Sequence, residues 1–92
     1  MSQVIAGGWS NFANPLTPEA SQVFKTAVTL VGVTYVPVAF ATQVVAGTNY
    51  CFLCTTTVMD GSNTQGAAKV YVFQPLPGQG TAHITHIDKI LP

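Results

Sequence analysis

Charged residues are scarce in this chain. Asp, Glu, Lys and Arg together make up 7% of its 92 residues, whereas ordinary globular domains carry roughly a quarter. Three basic residues balance three acidic ones, so the formal net charge is zero. No basic stripe is present to neutralise phosphates, which argues against nucleic acid as a partner. A nearly neutral surface also lacks the charge repulsion that opposes self-association.

Long hydrophobic runs are absent as well. The apolar-rich stretch 27–41 is interrupted by Thr29, Gly32, Thr34 and Pro37, and no stretch reaches the length of a transmembrane helix. The first nine residues contain neither a positively charged region nor an apolar run typical of a secretory signal. These features predict no membrane partner and a cytoplasmic location.

Apolar residues are nevertheless plentiful. The hydrophobic share is 48% and the aromatic share 10%, which is enough to build a core. The length favours one domain over residues 1–92. Residues 1–11 contain glycine and show no periodicity, so we interpret them as an extended N-terminal arm.

Only two cysteines are present, and they form a C-x-x-C. Cys51 and Cys54 lie within residues 50–58, a β-branched and aromatic run typical of a strand. Residues three apart in a strand are about 10 Å apart and on opposite faces, whereas disulfide-bonded Cα atoms approach within about 7 Å. A redox C-x-x-C also requires a helix N-terminus, which this pattern lacks. We therefore predict two buried or half-buried free thiols.

Catalytic and metal-binding patterns are weak throughout. One cysteine pair cannot complete a four-ligand zinc site, and His83 and His86 are too few and too strand-like to complement it safely. As strand residues, these two histidines are predicted to occupy opposite faces, one exposed and one half-buried. No Ser/His/Asp or Cys/His spacing supports nucleophilic catalysis, and three acids leave little for paired carboxylates. We expect no enzymatic activity, no metal and no cofactor.

An early helix is indicated by its start signals. Thr17 suits the N-cap, Pro18 the first helical position, and Glu19 supplies an acid in the first turn. Apolar residues then recur at spacings of three and four as far as Val31. Thr and Val are frequent here and favour helix only weakly, so a strand from about Thr26 is the competing interpretation.

The remainder of the chain predicts an antiparallel meander. β-rich runs cover residues 35–45, 49–59, 68–74 and 81–90, separated by Gly-, Pro- and Asn-containing turns. Pro37, near the start of the first run, indicates an edge position or a bulge. The fold class is therefore α+β, with one N-terminal helix packed on a four- to five-stranded antiparallel sheet.

Four motifs in order give the chain a resemblance to a known family. They are Val4-Ile5-Ala6-Gly7-Gly8, Gln43-Val44-Val45-Ala46-Gly47, Leu76-Pro77-Gly78-Gln79 and Asp88-Lys89. Gln-Val-Val-Ala-Gly resembles the first-hairpin motif of the cystatin superfamily, and Leu-Pro-Gly-Gln resembles the second hairpin of its stefin branch. The likeness covers nearly the whole chain, although the segment between Thr17 and Gln43 is shorter than in stefins by about two helical turns.

The resemblance implies a cystatin-like fold and a competitive, reversible inhibitor of papain-like cysteine proteases of the cathepsin type. The arm and the two hairpin loops would form a wedge that enters the protease cleft without chemistry. The implied protease-binding residues are Val4, Ile5, Gly7, Gly8, Gln43, Val44, Val45, Ala46, Gly47, Leu76, Pro77 and Gly78. Gly47 would permit a tight turn and a close approach to the enzyme.

Two other classes of function stay open at this point. A cystatin-fold binding or self-assembly module without inhibitory activity is the first, since fold alone does not fix function. A thiol-dependent redox or metal protein is the second. The chain is expected to be a monomer, or a homodimer that exchanges elements through the first hairpin.

Overall fold

Residues 8–91 are described by a computed structural model. Helix α1 spans Pro18–Ala27 and is followed by four strands. They are β1 (Val33–Val45), β2 (Gly47–Val58), β3 (Gln65–Gln74) and β4 (His83–Leu91). The strands form one antiparallel sheet in the order β1-β2-β3-β4, with α1 packed on one face. The predicted α+β class, with a helix on a four-stranded antiparallel sheet, is confirmed.

The helix starts as its sequence predicts but ends earlier. Thr17 is the N-cap, and its hydroxyl accepts a hydrogen bond of 3.1 Å from the Ala20 backbone N–H. The apolar pattern predicted a helix as far as Val31, yet α1 ends at Ala27. The next residues include Val28, Thr29 and Val31, whose β-branched side chains lose rotamer freedom in a helix. Poor helix propensity therefore ends the helix at Ala27, although Val28 still packs against the core.

The strands lie close to their predicted ranges, with longer ends. β1 begins two residues before the predicted start at residue 35, and β2 begins at Gly47 instead of residue 49. A register shift between Pro37 and Ala39 marks a bulge in β1, as the proline predicted. β1 extends into the turn because Val45 pairs directly with Gly47, leaving Ala46 as the single bend residue.

The core lies between α1 and one face of the sheet, here called the helix face. Phe52 and Val70 are fully buried at its centre, and the Phe24 ring of α1 meets the Phe52 ring edge-on at 5.0 Å. The other members of this buried cluster are Ala20, Val23, Tyr50, Cys54, Val72 and Ala82. Burial of these apolar side chains is the main force that holds the helix on the sheet.

The opposite face of the sheet, here called the outer face, carries both histidines. His83 pairs with Phe73 and His86 with Tyr71, and a register shift between Tyr71 and Val72 separates the two pairs. The shift leaves one extra residue in β4, which reverses the alternation of side chains between the two histidines. Both imidazoles therefore lie on the outer face, each beside an aromatic ring. Both histidines are exposed. The prediction of opposite faces, with one histidine half-buried, was therefore wrong.

Within residues 8–91, no helix combines the length and apolar character needed to cross a membrane.

The N-cap hydrogen bond gives a direct test of the helix start. We expect Thr17→Ala to lower the free energy of unfolding by about 1 kcal/mol, because the Ala20 N–H loses its acceptor. Thr17→Ser keeps the hydroxyl and should cost much less. Urea unfolding of the three chains measures the difference. Equal losses for alanine and serine would contradict the capping role.

Candidate functional site

The first hairpin and the loop after β3 lie at the same end of the sheet. Val44 pairs with Thr48 across the first hairpin, and Thr48 pairs on its other side with Gln74, the last residue of β3. The loop that contains Leu76 therefore leaves the sheet directly beside the first hairpin. The turn that contains Asp60 connects the other ends of β2 and β3, at the opposite end of the sheet.

Apolar side chains at this end are open to solvent. Val44, Val45 and Leu76 are 47%, 42% and 44% exposed. Ala46, Pro77 and Gly78 are exposed too. We call Val44, Val45, Ala46, Leu76, Pro77 and Gly78 the loop wedge. Exposed apolar side chains at a hairpin tip are available for contact with a partner.

The N-terminal segment runs along the outer edge of β1 toward the same end. Trp9 forms an antiparallel bridge with Gln43, and Ala13 forms one with Phe40. The Ser10 N–H donates to the Thr42 carbonyl at 2.8 Å, and the Thr42 N–H donates to the Ser10 hydroxyl at 2.9 Å. Because the bridges are antiparallel, Gly8 lies at the loop-wedge end of this segment.

Not every predicted site residue has a described position. Val4, Ile5 and Gly7 lie outside the described residues, whereas Gly8 is half-buried beside the β1 edge. Gln43 is half-buried, and its side-chain oxygen accepts a hydrogen bond of 2.8 Å from the Asn49 amide. This pair crosses from β1 to β2 just below the hairpin tip and helps to fix the loop geometry.

Gly47 is buried, and the end of β3 approaches it closely. Its φ is +121°, and a Cβ at this position would lie 2.6 Å from the Gln74 carbonyl oxygen and 2.8 Å from the Phe73 ring. The resemblance implied that Gly47 permits a close approach to an enzyme. The structure gives it an internal reason instead, since β3 passes too close for any side chain.

A groove that the sequence did not reveal opens beside the loop wedge. Its volume is about 470 Å³. The first half of α1, the start of β2 and the loop after β3 contribute its walls, with Glu19, Gln22, Val23, Gly47, Thr48, Tyr50, Gln74, Pro75, Leu76 and Pro77 as lining residues. Three separated segments meet here, so no local motif could have indicated it. Only the packing of α1 on the sheet brings these residues together.

Because α1 is short, it packs against the sheet mainly near the loop-wedge end. Because α1 ends at Ala27, its first half covers the loop-wedge end of the helix face, while Val33, Tyr35, Val58 and Leu91 border a cavity toward the other end. The helix thus supports the hairpins and also supplies side chains to the groove. A core placed directly behind exposed loops holds their geometry, which is what a rigid binding surface requires.

Tyr50 is the least expected member of this groove. A tyrosine in a strand commonly keeps its hydroxyl near water, but Tyr50 is only 6% exposed. Its ring stacks on Phe52 at 5.5 Å within the core. Burial raises the pKa of the Tyr50 hydroxyl, and the charge of Glu19 raises it further.

Trp9 packs across the outer face. Its ring meets Tyr71 edge-on at 5.9 Å, a favoured packing geometry for two aromatic rings. Trp9 and Phe12 border a small cavity whose other lining residues include Ala41 and Cys51. The small side chains of Ala41 and Cys51 are themselves almost fully buried, although they lie on the face opposite the helix. The N-terminal segment thus closes part of the outer face.

The two cysteines are free and buried, as predicted. Cys54 lies in the core beneath α1, whereas Cys51 pairs with Tyr71 on the outer face. Burial raises the pKa of the Cys54 thiol from its ordinary value of 9.0 to about 12. Burial also raises the pKa of Cys51, and Tyr71 and Lys69 only partly offset this effect. Thiolate chemistry near neutral pH is disfavoured at both positions.

Across residues 8–91, histidine, cysteine, aspartate and glutamate do not gather in threes as a metal site would require.

Comparison with known proteins adds no relative. Neither the family models, nor the curated proteins, nor the solved structures contain a match to this chain.

The close approach at Gly47 predicts a large effect of a single methyl group. We expect Gly47→Ala to lower the free energy of unfolding by about 2–4 kcal/mol, from its positive φ together with overlap with Gln74 and Phe73. Gly61 has a φ of +89° but no atom within 4 Å of the point where a Cβ would lie, so Gly61→Ala should lose only about 1–2 kcal/mol. Urea unfolding of both variants measures the gap. Similar losses at the two glycines would contradict the steric role of β3.

The raised thiol pKa values predict slow alkylation of the native chain. At pH 8, a thiol of pKa about 12 is ionised in only about one molecule in 10,000, against about one in ten for a thiol of pKa 9. We expect iodoacetamide to label Cys51 and Cys54 rapidly in urea and very slowly in buffer. The added thiol of Met59→Cys, at a side chain 64% exposed, serves as the reactive control.

The same shift sets the sign of an alkaline effect on stability. The folded-state pKa of Cys54 lies above its unfolded value, so its contribution is complete below pH 9 and is lost as the pH rises toward 12. In the alkylation test described above, rapid labelling of both cysteines in the native chain at pH 8 would contradict their burial.

Proposed function

We propose that this chain has a cystatin-like fold and acts as a reversible, competitive inhibitor of papain-like cysteine proteases. The observation that carries the proposal is the convergence of the loop wedge and of Gly8 at one end of the sheet. The motif order of the sequence and the strand register are independent of one another, and both favour the same arrangement. The proposed protein is therefore not an enzyme and needs no cofactor.

The proposed mechanism is occlusion of the active-site cleft by a preformed surface. Val44, Val45 and Leu76 leave water when the wedge enters the cleft, and apolar area removed from water contributes roughly 25 cal/mol per Å². The hairpin is fixed before binding because Val45 pairs with Gly47 and Gln43 bonds to Asn49. Preorganisation of this kind reduces the entropy lost on association.

Residues 1–7 lie outside the described residues, and their part in the proposal rests on the resemblance. Val4 and Ile5 would occupy the protease subsites next to the catalytic thiol, and Gly7 would bend the arm away from it. The described segment supports the starting point of such an arm, since Trp9 bridges Gln43 and Gly8 precedes it at the loop-wedge end.

The loop wedge can be tested against exposed apolar side chains toward the other end of the sheet. We expect Val44→Asp and Leu76→Asp each to weaken inhibition of papain about ten- to hundredfold, because each places a charge in a contact that must lose water. Val36→Asp and Met59→Asp are the controls. Val36 is 50% exposed on β1 and Met59 is 64% exposed, and both lie toward the opposite end of the sheet.

The measurement is the steady-state inhibition constant of each variant, with folding verified by circular dichroism. Absence of inhibition by the parent chain at micromolar concentration would refute the inhibitor proposal and favour the non-inhibitory binding or self-assembly module. Equal losses in the test and control variants would instead refute the assignment of the contact to the loop wedge.

A further inference from the structure

The groove beside the loop wedge has two kinds of wall. Val23, Pro75 and Leu76 provide apolar surface, and the side chains of Gln22 and Gln74 provide amide oxygens. A cavity with both features suits a side chain that has an apolar stem and a polar head. The groove opens at the end of the sheet that would face a partner, because two of its lining residues, Leu76 and Pro77, belong to the loop wedge.

Charge at the groove is of one sign. Glu19 is the only charged side chain among the described lining residues. Lys25 lies in the last turn of α1, Lys69 borders the outer-face cavity, and Lys89 borders a cavity near the end of β4. Although the whole chain is neutral, the charge that the described residues place in the groove is therefore a single negative one. Electrostatic complementarity therefore favours a cation as occupant.

Tyr50 places a second oxygen in the same groove. Its ring packs in the core, and no hydrogen bond between residues 8–91 occupies its hydroxyl. The described part of the chain contains no buried side-chain oxygen that lacks a hydrogen-bond partner. The Tyr50 hydroxyl is therefore not fully buried, and it is accessible from the groove that Tyr50 lines. It lies close enough to Glu19 to be influenced by its charge. A hydroxyl and a carboxylate that line one groove can both accept hydrogen bonds from one multivalent donor.

We infer that this groove binds a cationic side chain of a partner, an arginine or lysine, with its stem against Val23 and Leu76 and its head between Glu19 and Tyr50. The identity of the partner rests on the proposed function: the cation would belong to the rim of a protease cleft. The binding property itself belongs to the groove and does not depend on inhibition. Arginine fits best, since its planar head has five N–H donors for several acceptors at once.

The role of this contact is selectivity among partners. Glu19 is exposed, and exposed ion pairs contribute little free energy because water and salt screen them. The apolar loop wedge would supply most of the affinity, and the groove would distinguish a cleft with a basic rim from one with an acidic rim. An acidic rim would place two carboxylates together, which costs binding free energy.

The test uses the full chain and a small probe in place of a protease. N-acetyl-arginine methylamide is titrated at low salt while backbone amide shifts of Gln22, Thr48 and Gln74 are followed by NMR. N-acetyl-citrulline methylamide has nearly the same shape without the charge and is the matched probe control. We expect shifts at the groove with the arginine probe, and shifts at least severalfold smaller at equal concentration with citrulline.

Two variants locate the binding determinants. We expect Glu19→Gln to weaken binding of the arginine probe about two- to fivefold, with the difference shrinking at 0.5 M NaCl. Tyr50→Phe keeps the ring in the core and should weaken binding by a smaller factor. Asp60→Asn removes an acid from the opposite end of the sheet and should leave binding unchanged. Equal weakening by Glu19→Gln and Asp60→Asn would mean a general charge effect and would overturn the inference.

The result is distinguishable from that of the protease assay. Groove shifts without papain inhibition would uphold the cation site and refute the inhibitor proposal. Papain inhibition with no groove shifts, or with shifts of the same size for arginine and citrulline, would overturn the cation site and leave the inhibitor proposal standing.

Discussion

The contact between Gly47 and the end of β3 is the constraint on which the candidate site depends. A hydrogen atom in place of a side chain lets the first hairpin lie directly against the Gln74 carbonyl and the Phe73 ring. Strand β3 therefore runs to the tip of the first hairpin, and its following loop begins there. Were β3 displaced by the width of a side chain, Leu76 would move away from Val44 and Val45. The loop wedge is thus a consequence of backbone packing within this chain, whatever the wedge contacts.

The sequence predicted those features of the fold that depend on the effect of one residue on its own backbone. Thr17 and Pro18 predicted the helix start, and Pro37 predicted the bulge, since each acts on its own backbone. The helix end was missed because apolar periodicity continues past Ala27 while β-branched residues oppose it. The bulge near Thr85, which turns both histidines of β4 to one face, depends on how β4 pairs with β3. Nothing within β4 alone indicates it.

The candidate site likewise has one part that the sequence could predict and one part that it could not. The loop wedge follows from two turn motifs and from the rule that alternate connections of a meander share an end, so it could be predicted. The groove could not, because α1, β2 and the loop after β3 contribute to it from positions far apart in the chain. Tyr50 shows the difference most clearly. In sequence it resembles any strand tyrosine, and only the position of α1 decides that its ring is buried and that Glu19 lies near its hydroxyl.

The low charge of the chain connects affinity and selectivity in the proposed function. A wedge of valines, alanine, leucine and proline binds through apolar area, which discriminates poorly between clefts of similar shape. Only 7% of residues carry charge, and Glu19 is the one charged side chain among the described residues that line the groove, so a single carboxylate can distinguish a basic rim from an acidic one. The same apolar tip has little charge to keep two copies of the chain apart, so self-association through the first hairpin stays a prediction alongside inhibition. Both processes would use Val44 and Val45, and each would therefore remove the surface that the other needs.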